Sequence, residues 1–363
     1  MIKIQGLGNY KTVPKIVKDI IEGNLPALEK HLKQGWNIND DIKIDKYTSE
    51  SPLDYALHTN CFESVKWLVE HGANLNDKES PSFLQAVRYC DEKTMLYLVE
   101  KGANIHAVSR VGTDAFKEAL YGKKHHHLPV IERLGHTAKE YGGQAFRSAV
   151  SDCDRLAIEF FVNHGVNVNY NKPDMVYSYQ STPLCVAAQN ADLEMCKYLV
   201  ALGADVTIAD NYGCRPYIIA LEINNTELAE YFKSLEPAKF HCLQNKLLEL
   251  KPYKLPETLL RFLQGDNLRL DFDSRDTFDC AYIDFFTLTD TIPMKAGRKK
   301  LLRLSKDIDN YGGGLCIVWN HKTKRIASYD VEHEILYDMA SFDEFMKDAA
   351  GYMKKMLGGE IPS

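Results

Sequence analysis

Apolar residues in the first two thirds of the chain come in short blocks that return at a nearly fixed interval. One block reads Ser51-Pro52-Leu53-Asp54-Tyr55-Ala56 and leads to Trp67-Leu68-Val69-Glu70-His71-Gly72-Ala73-Asn74. A second reads Thr182-Pro183-Leu184-Cys185-Val186-Ala187 and leads to Tyr198-Leu199-Val200-Ala201-Leu202-Gly203-Ala204-Asp205. Proline and glycine stand 20 residues apart in both. The same interval separates Lys15 from Gly35, Ser82 from Gly102, Ala145 from Gly165 and, in a degraded block, Ala115 from Gly135. A last block starts at Pro216 and ends near Glu236 without the glycine. Ser51 and Thr182 are suitable helix N-caps, and Pro52 and Pro183 suit a first helical position, where no N–H is needed. The small Ala56, Ala86, Ala149, Ala187 and Ala220 let adjacent helices approach. Pairs such as Leu68-Val69 and Leu199-Val200 face the next block. Gly72, Gly102, Gly165 and Gly203 suit the left-handed turn that closes a helix.

The anchors at 15, 52, 82, 115, 145, 183 and 216 are separated by 37, 30, 33, 30, 38 and 33 residues. These steps centre on 33, the ankyrin period. Residues 10–237 therefore resemble the ankyrin-repeat family. The resemblance implies an α solenoid of about seven repeats, stabilised by stacking because no repeat buries its apolar face alone. The two long steps mark longer loops, Asp40–Tyr47 and Tyr170–Tyr179. Insertions in repeat arrays map to one face, often the binding face. The second loop holds Tyr170, Met175, Tyr177 and Tyr179, and Tyr is favoured at interface hot spots. These four, with Tyr212 from a later repeat loop, are the candidate partner-binding residues. The competing reading folds the loop aromatics back onto the array.

The repeat pattern stops near Pro237, which predicts domains at 1–237 and 238–363. Helices are expected over Cys242–Leu250 and Leu255–Leu263, and strands over Leu268–Phe272 and Cys280–Phe286. Leu315–Trp319 and Arg325–Tyr329 predict a hairpin, and Ser341 caps a final helix running to about Leu357. On that helix Phe342, Phe345, Met346 and Ala349 share one face. This order is similar to the SUKH superfamily over about residues 238–357. The resemblance rests on Leu255-Pro256-Glu257 opening a helix that ends Arg261-Phe262-Leu263, on Gly313-Gly314 before a hairpin ending Ser328-Tyr329-Asp330, and on Ala340-Ser341-Phe342-Asp343-Glu344-Phe345-Met346. It implies a small α+β domain with a mainly antiparallel sheet and flanking helices. One departure is Gln264-Gly265-Asp266-Asn267, where the family has Asn-Gly.

Charge is distributed unevenly. From Lys239 onward, 19 basic residues balance 19 acidic ones, so the whole net charge of −6 lies in the first 237 residues. That disfavours generic nucleic-acid binding and suits steering of a basic protein partner, although ordinary solubility charge looks the same. The nine cysteines are odd in number, widely spaced and without a CxxC motif, which predicts small buried side chains in a reducing compartment. His125-His126-His127 reads as an exposed turn, since consecutive side chains diverge and no ligand partner stands at metal spacing. Asp271, Asp273, Asp276 and Asp279 lack the glycine and terminal glutamate of a calcium loop and read as a solvated face. Lys295, Arg298, Lys299, Lys300, Arg303 and Lys306 are interrupted by Leu301, Leu302 and Leu304, which predicts an amphipathic segment packed on the sheet rather than a nucleic-acid groove. Gly312–Gly314 lacks the ending of a phosphate loop and reads as a flexible lead into a strand. No signal peptide, membrane span or catalytic motif is legible.

The expectation is therefore a non-catalytic, cytoplasmic, monomeric protein-binding protein without cofactor or metal. Both resemblances imply an immunity protein that neutralises a protein toxin, with a basic nuclease as the envisaged target. The alternative is an ankyrin scaffold or adaptor for an endogenous, non-toxic partner.

Overall fold

A computed structural model describes residues 1–273, 280–297 and 299–359. The chain forms two compact units, Met1–Ser178 and Tyr179–Ser363.

The first unit holds five helix pairs. Their first helices are Lys15–Ile21, Pro52–His58, Ser82–Tyr89, Ala115–Tyr121 and Gly143–Ser151. The paired second helices are Leu25–Lys33, Phe62–Glu70, Glu92–Glu100, Leu128–Arg133 and Arg155–Asn163. Four of these helices begin at a side-chain cap: the Ser51 hydroxyl accepts the Asp54 N–H, and Asp91, Asp114 and Asp154 do the same for Thr94, Lys117 and Ala157. Ala56, Ala86 and Ala149 are fully buried where successive first helices meet. Gly72, Gly102 and Gly165 follow the second helices with φ of 91°, 95° and 75°.

An asparagine ladder joins neighbouring loops. Asn39 donates to the Gly72 carbonyl and accepts the Asn74 N–H, and Asn76 repeats both bonds with Gly102 and Asn104. Two hairpins add to this unit, Ile2–Ile4 with Gly8–Tyr10 and Ile42–Lys43 with Ser49–Glu50. The second shapes the first of the two long loops.

The triple histidine departs from the expected exposed turn. It forms a 3₁₀ turn leading into Leu128–Arg133. His127 is fully buried, and its Nδ1 donates to the Val87 carbonyl at 3.0 Å. His125 pairs with Asp154. Divergence of the three side chains is what lets one enter the core while its neighbour stays at the surface.

The second unit holds two more helix pairs, Pro183–Gln189 with Leu193–Ala201 and Pro216–Glu222 with Thr226–Leu235. Thr182 caps the first of these through the Cys185 N–H. Helices Leu243–Leu250 and Glu257–Leu263 follow, then, among the described residues, eight strands: β1 Arg269–Asp271, β2 Tyr282–Phe285, β3 Ile292–Ala296, β4 Lys299–Arg303, β5 Ser305–Ile308, β6 Leu315–Asn320, β7 Arg325–Asp330 and β8 Ile335–Ala340. One sheet has the order β8-β7-β6-β4-β3 and the other β1-β2-β5, and every pairing is antiparallel.

Strand β6 is buried along its whole length because both faces are covered. Leu315, Ile317 and Trp319 join the main core with Leu263, Leu302 and Phe345. Cys316 and Val318 pack on the other face with Met294, Leu301, Ala327 and Tyr329.

Two further expectations are corrected in this unit. The basic segment from Lys295 is not packed on the sheet but builds it, as the end of β3, then β4 and β5, with Leu301, Leu302 and Leu304 fully buried. The final helix is two helices, Phe342–Lys347 and Ala349–Leu357. Asp348 leaves helical geometry (φ −147°, ψ 51°) and caps the second through the Gly351 N–H. Strands β3 and β8 had no counterpart in the sequence reading.

The cysteines are not all buried as expected: Cys153 is exposed, and Cys61 and Cys242 are half-buried. Asp271 and Asp273 are exposed; Asp276, Asp279 and Arg298 lie outside the described residues. Among the described residues no helix is long and apolar enough to cross a membrane.

Candidate protein-interaction surfaces

A groove of about 720 Å³ opens in the first unit between the loop hairpins and the first helices of successive pairs. It is lined by Asp41, Glu50, Asp54, Asp77, Glu79 and Glu118, against Arg88 and Arg110. Both arginines are engaged: Arg88 pairs with Glu118 at 3.2 Å and Arg110 with Glu79 at 4.0 Å. Asp41, Glu50, Asp54 and Asp77 have no cationic partner among the described residues.

Glu50, Asp54 and Asp77 are held in place by local structure. Glu50 sits on a hairpin strand. Asp54 lies in the first turn of its helix and accepts hydroxyls from Ser51 at 2.8 Å and Ser80 at 2.9 Å. Asp77 accepts the Glu79 and Ser80 N–H groups. Burial, with Asp54 and Asp41 close by, pushes the Glu50 carboxyl up to about 7. Burial pushes Asp54 to about 6 against the two hydroxyl bonds. Glu50 and Asp54 are therefore costly to ionise here, and an incoming cation would relieve that cost.

His58, also on the groove, is held neutral. Burial lowers it to about 4, and its Nδ1 donates to the Gln5 carbonyl at 2.6 Å. The chemistry on offer is recognition of positive charge and of peptide-like donors. Among the described residues no group of three or more His, Cys, Asp or Glu side chains is placed to hold a metal ion.

The tyrosine loop is built around Arg147. This residue is fully buried, donates to the Lys172 carbonyl at 3.0 Å and pairs with Asp174 at 2.5 Å. Its guanidinium lies 5.0 Å from the Tyr170 ring and 4.7 Å from the Tyr177 ring. The Tyr170 ring also packs on Gly143, where a Cβ would collide with it. Burial works against ionised Asp174, but the Tyr177 N–H and Arg147 hold it below the usual carboxylate range. Tyr170 and Tyr177 are thus half-buried, while Met175 is 76% and Val176 62% exposed at the loop tip.

In the second unit Tyr179 and Tyr212 stack with centroids 6.1 Å apart, and Tyr212 packs on the sheet face formed by Met294, Cys316 and Tyr329. The groove carboxylates escaped the sequence reading. Asp41 belonged to a loop already marked as an insertion, but its convergence with Glu50, Asp54 and Asp77 follows from hairpin pairing and repeat stacking.

An ankyrin-repeat family model covering three copies matches residues 125–240, and a single-repeat model matches residues 49–80. A protein of Acanthamoeba polyphaga mimivirus named for ankyrin repeats is 25% identical over 225 residues, 61% of this chain and 29% of that protein. A fowlpox virus protein named in the same way is 28% identical over 54% of this chain and 51% of its own length. The human transient receptor potential cation channel subfamily A member 1 is 26% identical over 51% of this chain and 17% of its own length. The chain therefore spans about half or less of these relatives. Family models, repeat spacing and paired helices agree: this chain carries ankyrin repeats over residues 49–80 and 125–240.

Proposed function

We propose that the chain is a non-catalytic protein-binding module whose acidic groove receives a cationic segment of a partner protein. The observation that carries this is the groove itself: four carboxylates converge with no ion-pair partner among the described residues, because both lining arginines are engaged by other carboxylates, and two of the four are pushed up in pKa. Ankyrin repeats imply a protein–protein interaction role, and the net charge of −6 is concentrated in the repeats. In the finer reading the partner is a basic protein toxin, the chain is its cytoplasmic, monomeric immunity protein, and residues 238–363 form a SUKH-like domain appended to a recognition array over 1–237. Its support is the resemblance of residues 238–357 together with the acidic groove. Met175, Tyr177 and Tyr170 flank a second contact in this reading, and Tyr179 and Tyr212 a third.

A scaffold or adaptor for a non-toxic partner is the second reading. It is favoured by relatives named only for ankyrin repeats or for a channel. The test uses the full chain as bait. A captured partner that kills cells alone and is neutralised by co-expression supports the toxin reading; a harmless partner supports the scaffold. Replacing Asp41 and Glu50 by lysine slows association at least tenfold if the groove is the contact, and unchanged association overturns it.

A further inference from the structure

An unassigned constellation lies elsewhere in the first unit. His106 and His136 stand 30 residues apart, in the loops that close consecutive repeats. Their Nδ1 atoms face each other at 3.1 Å, with ring centroids 5.3 Å apart. Behind His136, Nε2 donates to Asp114 Oδ2 at 3.3 Å. His136 is 1% exposed, stacked on Tyr141 at 4.3 Å and packed on Phe116 at 5.2 Å. His106 is exposed and rests on the other end of the Tyr141 contact at 4.9 Å.

We propose that His106 and His136 form a two-histidine site for a divalent transition metal of the zinc or copper class. Three features point to it. First, a tetrahedral ion about 2.0–2.1 Å from two imidazole nitrogens sets them about 3.3–3.4 Å apart, so the pair needs to open by only a few tenths of an ångström. Second, the bond from His136 Nε2–H to Asp114 fixes the tautomer that leaves the His136 Nδ1 lone pair facing His106. A carboxylate behind the imidazole is the arrangement that orients metal-ligating histidines. Third, one ligand is buried and rigid while the other reaches solvent, which gives the ion a path in.

The proton between the two Nδ1 atoms must leave for the ion. His106 Nε2 has no hydrogen-bond partner among the described residues and can take that proton as the ring changes tautomer. No third His, Cys, Asp or Glu completes the set among the described residues, so water fills the remaining positions. The site is therefore open and weaker than a closed structural zinc site. Imidazole selects zinc or copper over magnesium, which prefers oxygen.

The test titrates Zn²⁺ into the chelator-treated full-length chain by calorimetry, with Mg²⁺ as control, and follows the histidine ring signals by NMR. The wild type binds one equivalent that shifts the His106 and His136 signals. His106→Asn, at an exposed position, loses that equivalent. Asp114→Asn keeps the helix cap through its amide oxygen but turns an NH2 group towards His136 Nε2, removing the acceptor that fixes the tautomer, so zinc affinity falls about 10–100-fold while circular dichroism shows the fold retained. Zinc binding that is absent in the wild type, unchanged in His106→Asn, unchanged in Asp114→Asn, or reproduced by Mg²⁺ would overturn the assignment.

Discussion

Arg303 carries much of the second unit's polar interior. It is buried, pairs with Glu222 at 2.6 Å, and donates to the Ser305 carbonyl at 3.1 Å. Burial pushes Glu222 upward even with Arg303 beside it. Removing one member of a buried pair leaves the other uncompensated, so Arg303→Met is expected to cost about 3–5 kcal/mol in urea unfolding. A loss under 1 kcal/mol would mean that water reaches Glu222. Gly102 is a second single-residue determinant. Its φ of 95° is hostile to a Cβ, yet open space surrounds it. Gly102→Ala should therefore lose roughly 1–2 kcal/mol through backbone strain alone. Retained stability would show that the loop relaxes.

At the scale of elements, caps decided boundaries that apolar spacing left vague. Ser341 forms a reciprocal capping box with Glu344, and the Ser341 N–H reaches the Glu344 carboxylate at 3.1 Å. Ser341→Ala removes one half of it, for about 1 kcal/mol in thermal or urea unfolding. Glu344→Gln should cost less, because an amide oxygen still accepts; the reverse order would argue against the box. The break at Asp348 was hidden because apolar spacing continues through it from Phe345 to Ala349 and Met353, all buried. Strands β3 and β8 were hidden for a related reason. Pro293 and the mixed polarity of Tyr337-Asp338 weaken the strand signal locally, while pairing with β4 and β7 supplies the missing stabilisation.

At the scale of the first unit, two titrations oppose each other. His58 is held neutral down to about 4 in the folded state, against about 6.5 unfolded. The unfolded chain binds the extra proton between these values, so this contribution is lost as pH falls from about 6.5 towards 4. Glu50 runs the other way. Its folded carboxyl keeps its proton up to about 7, so its cost grows as pH rises from about 4.5 through 7. Glu50→Gln should therefore stabilise the chain more at pH 7.5 than at pH 4.5, as read by urea unfolding at both values. Equal effects would place Glu50 in open water.

Across the whole chain, the −6 charge predicts that association with a cationic partner slows as salt rises from 50 to 500 mM, since exposed charges are screened beyond about 10 Å at 0.1 M. A flat response in stopped-flow association would reduce the charge to a solubility feature.

The sequence by itself determined the repeats. Each requirement is local: a cap at Ser51 or Thr182, a small residue at Ala86 or Ala149, and a glycine where φ must be positive. Such constraints act within a few residues, so they appear as a readable pattern. The antiparallel hairpin of β6 and β7 was legible for the same reason.

Tertiary structure alone decided which polar residues meet. Asp41, Glu50, Asp54 and Asp77 converge through a hairpin and adjacent repeats, and His106 reaches His136 one repeat away. Arg147 draws Tyr170 and Tyr177 inward, although nothing local distinguishes those tyrosines from Met175 at the exposed tip. Convergence depends on register and stacking between segments distant along the chain, and no local propensity records it.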